Sequence, residues 1–129
     1  MPVIEPGTWW HPGNRPEWFT LTAVGQFEVG TDGASFDRHH HDCDELWLLT
    51  EGKAKILLDG AERYVQAGDV VVTREGSQHD VLEVYETIRG FFVEYGGDAS
   101  SRFGHLDPVP HLVAHAPLPH DFPLRTPAS

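Results

Sequence analysis

Apolar and polar residues alternate in short stretches from about residue 19 to residue 96, and turn signals separate these stretches. The clearest alternation puts Ala54, Ile56 and Leu58 on one face of a strand and the intervening polar residues on the other. Asp59-Gly60 then signals a hairpin turn. The run DVVVT at 69–73 is apolar enough to predict burial on both faces.

The predicted strands number roughly eight at a spacing of about 8–12 residues, which is typical of an antiparallel sandwich or barrel. They cover 19–30, 33–41, 45–52, 53–60, 61–66, 69–73, 78–86 and 87–96.

The two ends of the chain have a different composition. Residues 1 to about 18 contain four prolines and three tryptophans, which predict an extended arm. Its tryptophans would cap a barrel end, pack on a partner subunit or wall a pocket. The tail from 97 to 129 has six prolines and four histidines, and we expect it to lie along the barrel or across a subunit boundary. The chain is thus predicted to be one domain, with the barrel at about 19–96.

Composition narrows the classes of partner. A chain of 129 residues with a formal charge of −11 repels nucleic acid and anionic membranes. No apolar run approaches the ~18 residues of a membrane span, and no secretion signal is visible at the N-terminus. A single cysteine excludes an internal disulfide and fits a reducing compartment. We therefore expect a cytoplasmic protein with a small-molecule substrate.

Four residues have a spacing that suits a mononuclear metal site. His39 and His41 are two apart, so on a strand both imidazoles face the same side, and Glu45 keeps that parity if the strand continues. His79 would come from a later strand alongside. Imidazole with carboxylate suits Fe, Mn, Ni, Co, Cu or Zn rather than Ca or Mg. Four protein ligands would leave two positions of an octahedral ion open, which suits catalysis.

The pattern Gly33-x5-His39-x-His41-x3-Glu45-x6-Gly52 resembles the first motif of the cupin superfamily at every fixed position. Gly68, Gly76 and His79 match the second motif after an inter-motif gap of residues 53–67. The resemblance covers about residues 20–95. It implies an all-β jelly-roll barrel, or double-stranded β-helix, with one divalent transition metal held inside by His39, His41, Glu45 and His79.

Two positions of the second motif depart from the family pattern. Arg74 stands where proline is usual, and Glu83 stands where asparagine is usual. Arg74 would either bind an anionic substrate group or lie solvated in a turn. Glu83 and Tyr85 share the parity of His79, so Glu83 is a candidate general base and Tyr85 a candidate phenol in the same pocket. These three residues are the candidate catalytic set.

The remaining reactive side chains are weaker candidates. Cys43 has the ligand parity, but the carboxylates on either side discourage thiolate formation, so we interpret it as a bystander. His40 has the opposite parity and is not expected to bind metal. The tail histidines show no metal-type spacing and are expected at the surface: His105, His111, His115 and His120.

The resemblance implies several chemistries for one site. The first hypothesis is a metal-dependent enzyme that acts on a small oxygenated organic molecule, with a dioxygenase favoured. The second is a sugar or keto-acid isomerase or epimerase, with Glu83 or Tyr85 moving the proton. The third is a binding module that turns over no substrate. Small cupins are commonly dimers, so the resemblance also implies a homodimer.

Overall fold

The computed structural model describes residues 2–96 and 105–125, and the predicted arm and tail lie partly outside these ranges. The described residues form nine β-strands and no helix. The strands are β1 (Trp9–Trp10), β2 (Ala23–Val29), β3 (Ser35–His40), β4 (Asp44–Leu58), β5 (Ala61–Gln66), β6 (Val70–Thr73), β7 (His79–Tyr95), β8 (Leu106–Leu112) and β9 (Ala114–His115). No helix in the described part of the chain is long and apolar enough to cross a membrane.

Two long strands organise the sheet. One series of neighbours runs β1-β2-β7-β3-β8, while β4 pairs with β5, β6 and β7. Every pair is antiparallel except β7 with β9. Because β7 contacts both β3 and β4, it joins the strands that carry the candidate metal ligands.

The prediction that β4 and β7 would each be two strands was wrong. Both run without interruption, and register shifts accommodate the residues that the sequence suggested as breaks. Gly52 lies at one of these irregularities with a φ of 98°, and a Cβ there would approach the Thr87 carbonyl oxygen to 2.2 Å. A glycine with positive φ therefore marks a bulge here rather than a turn between strands.

The predicted hairpin at Asp59-Gly60 is confirmed. Both residues have positive φ, 49° and 83°, as a two-residue turn between β4 and β5 requires. The alternation before it is also confirmed, because Ala54 and Ile56 are buried. The expectation for β6 was wrong: Val71 is buried, but Val70 and Val72 are more than half exposed because only one face of this strand packs on the core.

One apolar core fills the space between the strands. Its buried members come from five strands and from the residue that precedes β9: Val29, Trp47, Leu49, Ala54, Ile56, Val65, Val71, Val81, Val84, Ile88 and Val113. Burial of this apolar surface is the main favourable term in folding.

The described parts of the arm and the tail both add strands to the sheet. Trp9 and Trp10 pair with β2, and Trp10 packs edge-on against Phe19. In the tail, β8 pairs with β3, and β9 pairs with β7. The described part of the tail therefore lies along the barrel, which was one of the two alternatives expected from the sequence.

Candidate metal centre

Three short stretches bring four polar residues together in the interior. His39 belongs to β3, His41 follows directly after that strand, and Glu45 is the second residue of β4. His79 begins β7 and stands opposite His39 in the β3–β7 pairing. The Gly76 backbone N–H donates to the His41 carbonyl, which ties the loop before β7 to this site. All four residues are buried, with exposed fractions of 4% or less.

Backbone carbonyls fix the rings of His39 and His79. His39 Nδ1 contacts the carbonyl oxygen of Asp37, and His79 Nδ1 lies 3.3 Å from that of Ser77. In both cases the partner is two residues earlier on the chain. A carbonyl at Nδ1 selects the tautomer with a lone pair on Nε2, which is how metal-binding histidines are usually held.

Glu45 connects the other two histidines. Its Oε2 lies 3.4 Å from His41 Nε2, and its Oε1 lies 3.4 Å from His79 Nε2. The Trp47 indole N–H donates to Oε1 at 2.9 Å, which orients the carboxylate. Ligand atoms of His41, Glu45 and His79 all lie within 4.8 Å of one another.

The electrostatics favour neutral imidazoles. Burial lowers the pKa of His39 to about 3, and the neighbouring His79 adds to the shift. Burial likewise lowers the pKa of His79 to about 4, although Glu45 opposes it. Burial raises the pKa of Glu45, but the hydrogen bond and charge of His41 outweigh it, so the net shift is downward. Two neutral imidazoles beside an ionised carboxylate are the forms that bind a metal ion.

These residues fit a divalent transition metal. His79 Nε2 is fully buried and makes no hydrogen bond. A buried nitrogen without a hydrogen bond is costly unless something else satisfies it. Nitrogen and carboxylate donors around one point are suited to Fe, Mn, Ni, Co, Cu or Zn.

A cavity of about 440 Å³ opens beside this cluster. His39 and Glu45 form part of its wall, so the cluster is accessible from the cavity. Aromatic side chains form much of the remainder: Trp9, Phe27, Phe36, Trp47 and Phe92. The arm therefore contributes to a pocket wall, which was one of the three alternatives for its tryptophans. No lysine or arginine lines the cavity within the described ranges.

Glu94 is a site residue that the sequence analysis missed. It lines the cavity, is 5% exposed, and its Oε1 lies 3.5 Å from His41 Nδ1. Burial raises its pKa to about 7, and the adjacent charge of Glu45 adds to the shift. One signal was available, since Ile88, Phe92 and Glu94 share one parity within the stretch 87–96. An acid that continues an inward-facing series is a candidate site residue.

The three candidate catalytic residues lie elsewhere. None of Arg74, Glu83 and Tyr85 lines the cavity. Arg74 is exposed in the loop after β6. The Tyr85 hydroxyl donates to Glu83 Oε2 at 2.6 Å, and Lys55 Nζ lies 3.8 Å from the same oxygen. Burial raises the pKa of Tyr85, and Glu83 adds to this shift.

A β-bulge explains why the parity argument for Glu83 was wrong. Val81 stands opposite the buried Ile56, but the next pairing joins Glu83 to Lys55, so Leu82 is an extra residue on β7. One extra residue reverses the alternation of the strand beyond it. Glu83 therefore shares a face with Lys55, away from the core.

The remaining candidates are placed as follows. Cys43 is 2% exposed, and burial raises the pKa of its thiol to about 12, which keeps it unreactive at neutral pH. His40 Nε2 lies 3.7 Å from Asp107 Oδ2, and His40 is outside the ligand cluster. Of the tail histidines, His105, His115 and His120 are exposed as expected, whereas His111 is half-buried.

Two of the tail histidines, His105 and His111, make specific contacts that the sequence did not predict. The His111 Nε2 atom lies 2.6 Å from Asp80 Oδ1, and the His105 ring stacks on His39. Asp80 is fully buried and also accepts a hydrogen bond from Arg38 Nε at 2.9 Å.

Comparison with known proteins identifies the class to which this fold and site belong. Residues 23–87, half of the chain, match the model of the cupin domain. The chain therefore belongs to the cupin family and has its all-β barrel fold. The family resemblance in the sequence is confirmed.

Individual proteins are also similar to this chain. The chain is 38% identical over 100 residues to the uncharacterized protein y4oW of Sinorhizobium fredii, covering 67% of this chain and 46% of that protein. It thus spans about half the length of this curated relative. A cupin 2 conserved barrel domain protein of Salinispora arenicola is 27% identical, with a TM-score of 0.55 over 76% of this chain and 82% of that one. The DMSP lyase DddQ of Ruegeria pomeroyi is 22% identical, with a TM-score of 0.51 over 70% and 42%, and shows the fold alone.

Proposed function

We propose that this protein is a mononuclear metal-dependent cupin enzyme that acts on a small oxygenated organic molecule, with dioxygenase chemistry favoured. The observation that carries the proposal is the cavity of about 440 Å³, whose wall combines His39 and Glu45 with five aromatic side chains. His39, His41, Glu45 and His79 hold the metal. A bound divalent ion supplies Lewis acidity and open coordination positions.

The cavity wall supports the substrate class. A sugar phosphate requires cationic partners, and none of the described residues that line the cavity is Lys or Arg. Flat aromatic surfaces instead suit an enol or a phenol, and they exclude water from the bound substrate. Trp47 orients Glu45 through its indole N–H, and Glu94 holds a proton near neutral pH at the edge of the cavity.

Oxygen uptake tests this proposal. Metal-free protein is loaded with Fe²⁺, Mn²⁺ or Ni²⁺ and mixed with enolisable and phenolic compounds, and dissolved O₂ is followed. We expect uptake in the wild type and its loss in Glu45→Gln, whereas Glu51→Gln, an exposed change on the same strand, retains it. The proposal fails if no metal form consumes O₂ with any compound of these classes.

Glu94 favours a second candidate function, an isomerase or epimerase of a sugar or keto acid. With a pKa raised to about 7 and a position on the cavity wall, this carboxyl group can accept and return a proton at neutral pH. It takes the role that the sequence suggested for Glu83. Turnover that persists without O₂ and is lost in Glu94→Gln with full metal retention favours this function over the first.

We further propose that the protein is a homodimer in which an outer apolar patch is covered by a second copy. The patch consists of Leu48, Val70, Val72 and Phe91, all exposed. Leu48 stands opposite both Val70 and Phe91, so the patch is continuous across β6, β4 and β7. In a chain with a charge of −11, charged faces repel a second copy, and this uncharged face does not.

A further inference from the structure

His105 lies beside the candidate metal centre without being oriented as one of its ligands. It directly precedes β8, and its ring stacks on His39 with the ring centroids 3.6 Å apart and the planes within 10°. The nitrogen lone pairs of two parallel rings lie in separate planes, so both rings cannot direct a lone pair at one ion. The His105 side chain is 46% exposed and lines the cavity. It therefore stands between the buried ligands and the space available to a substrate.

Strand pairing holds His105 in this position. The strand that follows it, β8, pairs with β3 from Ser35 to His40. Near the far end of β8, His111 Nε2 lies 2.6 Å from Oδ1 of the fully buried Asp80 on β7. Because β8 is held along its length, the backbone that carries His105 is fixed against the site.

One ring nitrogen of His105 is free to bind a substrate. Its Nδ1 lies 3.2 Å from Asp37 Oδ2, and an ionised carboxylate can only accept a proton from that nitrogen. A neutral ring held in this way has its lone pair on Nε2. Among the described residues, none forms a hydrogen bond with His105 Nε2. Nε2 is therefore an acceptor without a partner on the cavity wall.

The carboxylates on the described part of the cavity wall are already engaged. Glu28 Oε2 accepts a hydrogen bond from Arg89 Nε at 2.7 Å. Glu45 and Glu94 contact the histidines of the metal centre. Three further polar residues on this wall are exposed: Thr8, Gln26 and Ser35. His105 thus offers the acceptor that lies directly against a metal ligand and is still available.

We propose that His105 recognises a hydroxyl group of the substrate, which donates to Nε2, and that Asp37 is its positioning residue. This inference rests on the proposed function and narrows its substrate class. The substrate then combines a framework that packs on the aromatic wall, an oxygen atom for the metal and a protonated hydroxyl group for His105. A compound of the same shape without the hydroxyl group leaves Nε2 unpaired and binds less tightly.

Binding of two compounds of matched shape tests this role without any turnover. Protein loaded with Zn²⁺ is titrated with benzyl alcohol and with ethylbenzene, which has a methyl group in place of the hydroxyl, and the fluorescence of the cavity tryptophans is followed. His105→Phe keeps an aromatic ring against His39 but removes both ring nitrogens. We expect its affinity for the alcohol to fall by about two- to tenfold, the scale of one neutral hydrogen bond. Its affinity for ethylbenzene should not fall. Asp37→Ala should show the same selective loss by a smaller factor.

His115→Phe is the matched control, because His115 is an exposed tail histidine that does not line the cavity. It should leave both affinities unchanged. His105→Gln keeps polar atoms at the end of the side chain and should retain part of the preference for the alcohol. Equal affinity of wild type and His105→Phe for the alcohol, or parallel losses for both compounds, would overturn the inference while leaving the metal centre in place. If the wild type binds neither compound, the aromatic cavity of the proposed function fails and this inference fails with it.

Discussion

Glu45 and His79 lie on different strands, yet Glu45 Oε1 is 3.4 Å from His79 Nε2 in the buried centre of the fold. The same oxygen accepts the indole N–H of Trp47. This contact makes Glu45 both a candidate ligand and the anion that balances the charge of a bound metal.

Replacement of Trp47 by Phe tests how Glu45 is oriented. The substitution keeps an aromatic ring in the core but removes the N–H that holds Oε1 at 2.9 Å. We expect metal affinity to fall by about tenfold or more, as for other outer partners of ligands, without loss of the fold. Isothermal titration with Zn²⁺ measures the affinity. Phe27→Leu, a change in a neighbouring ring that makes no hydrogen bond to Glu45, should leave the affinity within a few-fold of wild type.

Stability of the metal-free protein should depend on pH through Glu94. The pKa of Glu94 is about 7 in the folded protein and has the ordinary value of 4.5 in the unfolded chain. The contribution of Glu94 to folding stability is therefore fully present below about pH 4.5 and is lost as the pH rises through about 7. Glu94→Gln should therefore be more stable than wild type at pH 8, and this advantage should shrink towards pH 5. One pKa unit is worth about 1.4 kcal/mol, so the gain at pH 8 is a few kcal/mol at most. Urea unfolding at the two pH values measures it.

The histidines of the site should destabilise the metal-free protein in acid. Their folded pKa values, about 3 for His39 and about 4 for His79, are below the ordinary 6.5. The unfolded chain then binds more protons, so stability falls as the pH drops from about 6.5 towards 4. This fall should be steeper in Glu94→Gln, which lacks the opposing contribution. If the melting temperatures of wild type and Glu94→Gln both rose as the pH was lowered from 6.5 to 4, the lowered pKa values of His39 and His79 would be contradicted.

Gly52 should tolerate no side chain. Besides a φ of 98°, a Cβ at this position would lie 2.2 Å from the Thr87 carbonyl oxygen, a backbone atom that moves only with the strand. We expect Gly52→Ala to cost at least about 3 kcal/mol of unfolding free energy. Gly60→Ala is the control, because it also has positive φ but no atom within 4 Å, and it should cost only about 1–2 kcal/mol. Equal losses in urea unfolding would show that the close approach to Thr87 is not what matters.

A charge in the outer apolar patch should separate the proposed dimer. Val72 is 62% exposed, so Val72→Lys adds an ammonium group without disturbing the core. Light scattering should give a dimeric mass for the wild type and a monomeric mass for Val72→Lys. Val109→Lys, at a valine on β8 that is 57% exposed, should remain dimeric. A monomeric wild type at micromolar concentration would contradict the proposal.

The spacing of residues in the sequence was sufficient to predict that His39, His41, Glu45 and His79 meet. Strand parity accounts for His39 and His41, but the strand does not continue to Glu45, which comes from the start of β4. The pairing of β3 with β7 brings in His79. The same parity rule failed for Glu83, because Leu82 is an extra residue on β7. Nothing in the local pattern around Leu82 signals a bulge, since the bulge follows from the register between β4 and β7 rather than from β7 alone.

His105 was unpredictable for a different reason. Its approach to His39 depends on β8, a strand that contains Pro108 and Pro110 and shows no alternating pattern. Proline is tolerated in such an edge strand. Because its strand propensity is low, however, a prediction from residue propensities assigns no strand there. The pairing with β3 and the bond from His111 to Asp80 are long-range contacts, and these determine where the tail lies.

Elemental analysis tests the central claim most directly. The protein is purified without a histidine tag, since such a tag would bind metal by itself, and its metal content is measured beside that of His79→Ala after reconstitution and desalting. We expect close to one equivalent of Fe, Mn, Ni, Co, Cu or Zn per chain in the wild type and a large loss in the variant. A wild type that retains no transition metal, or a variant that retains as much as the wild type, would contradict the assignment of this cluster as a metal centre.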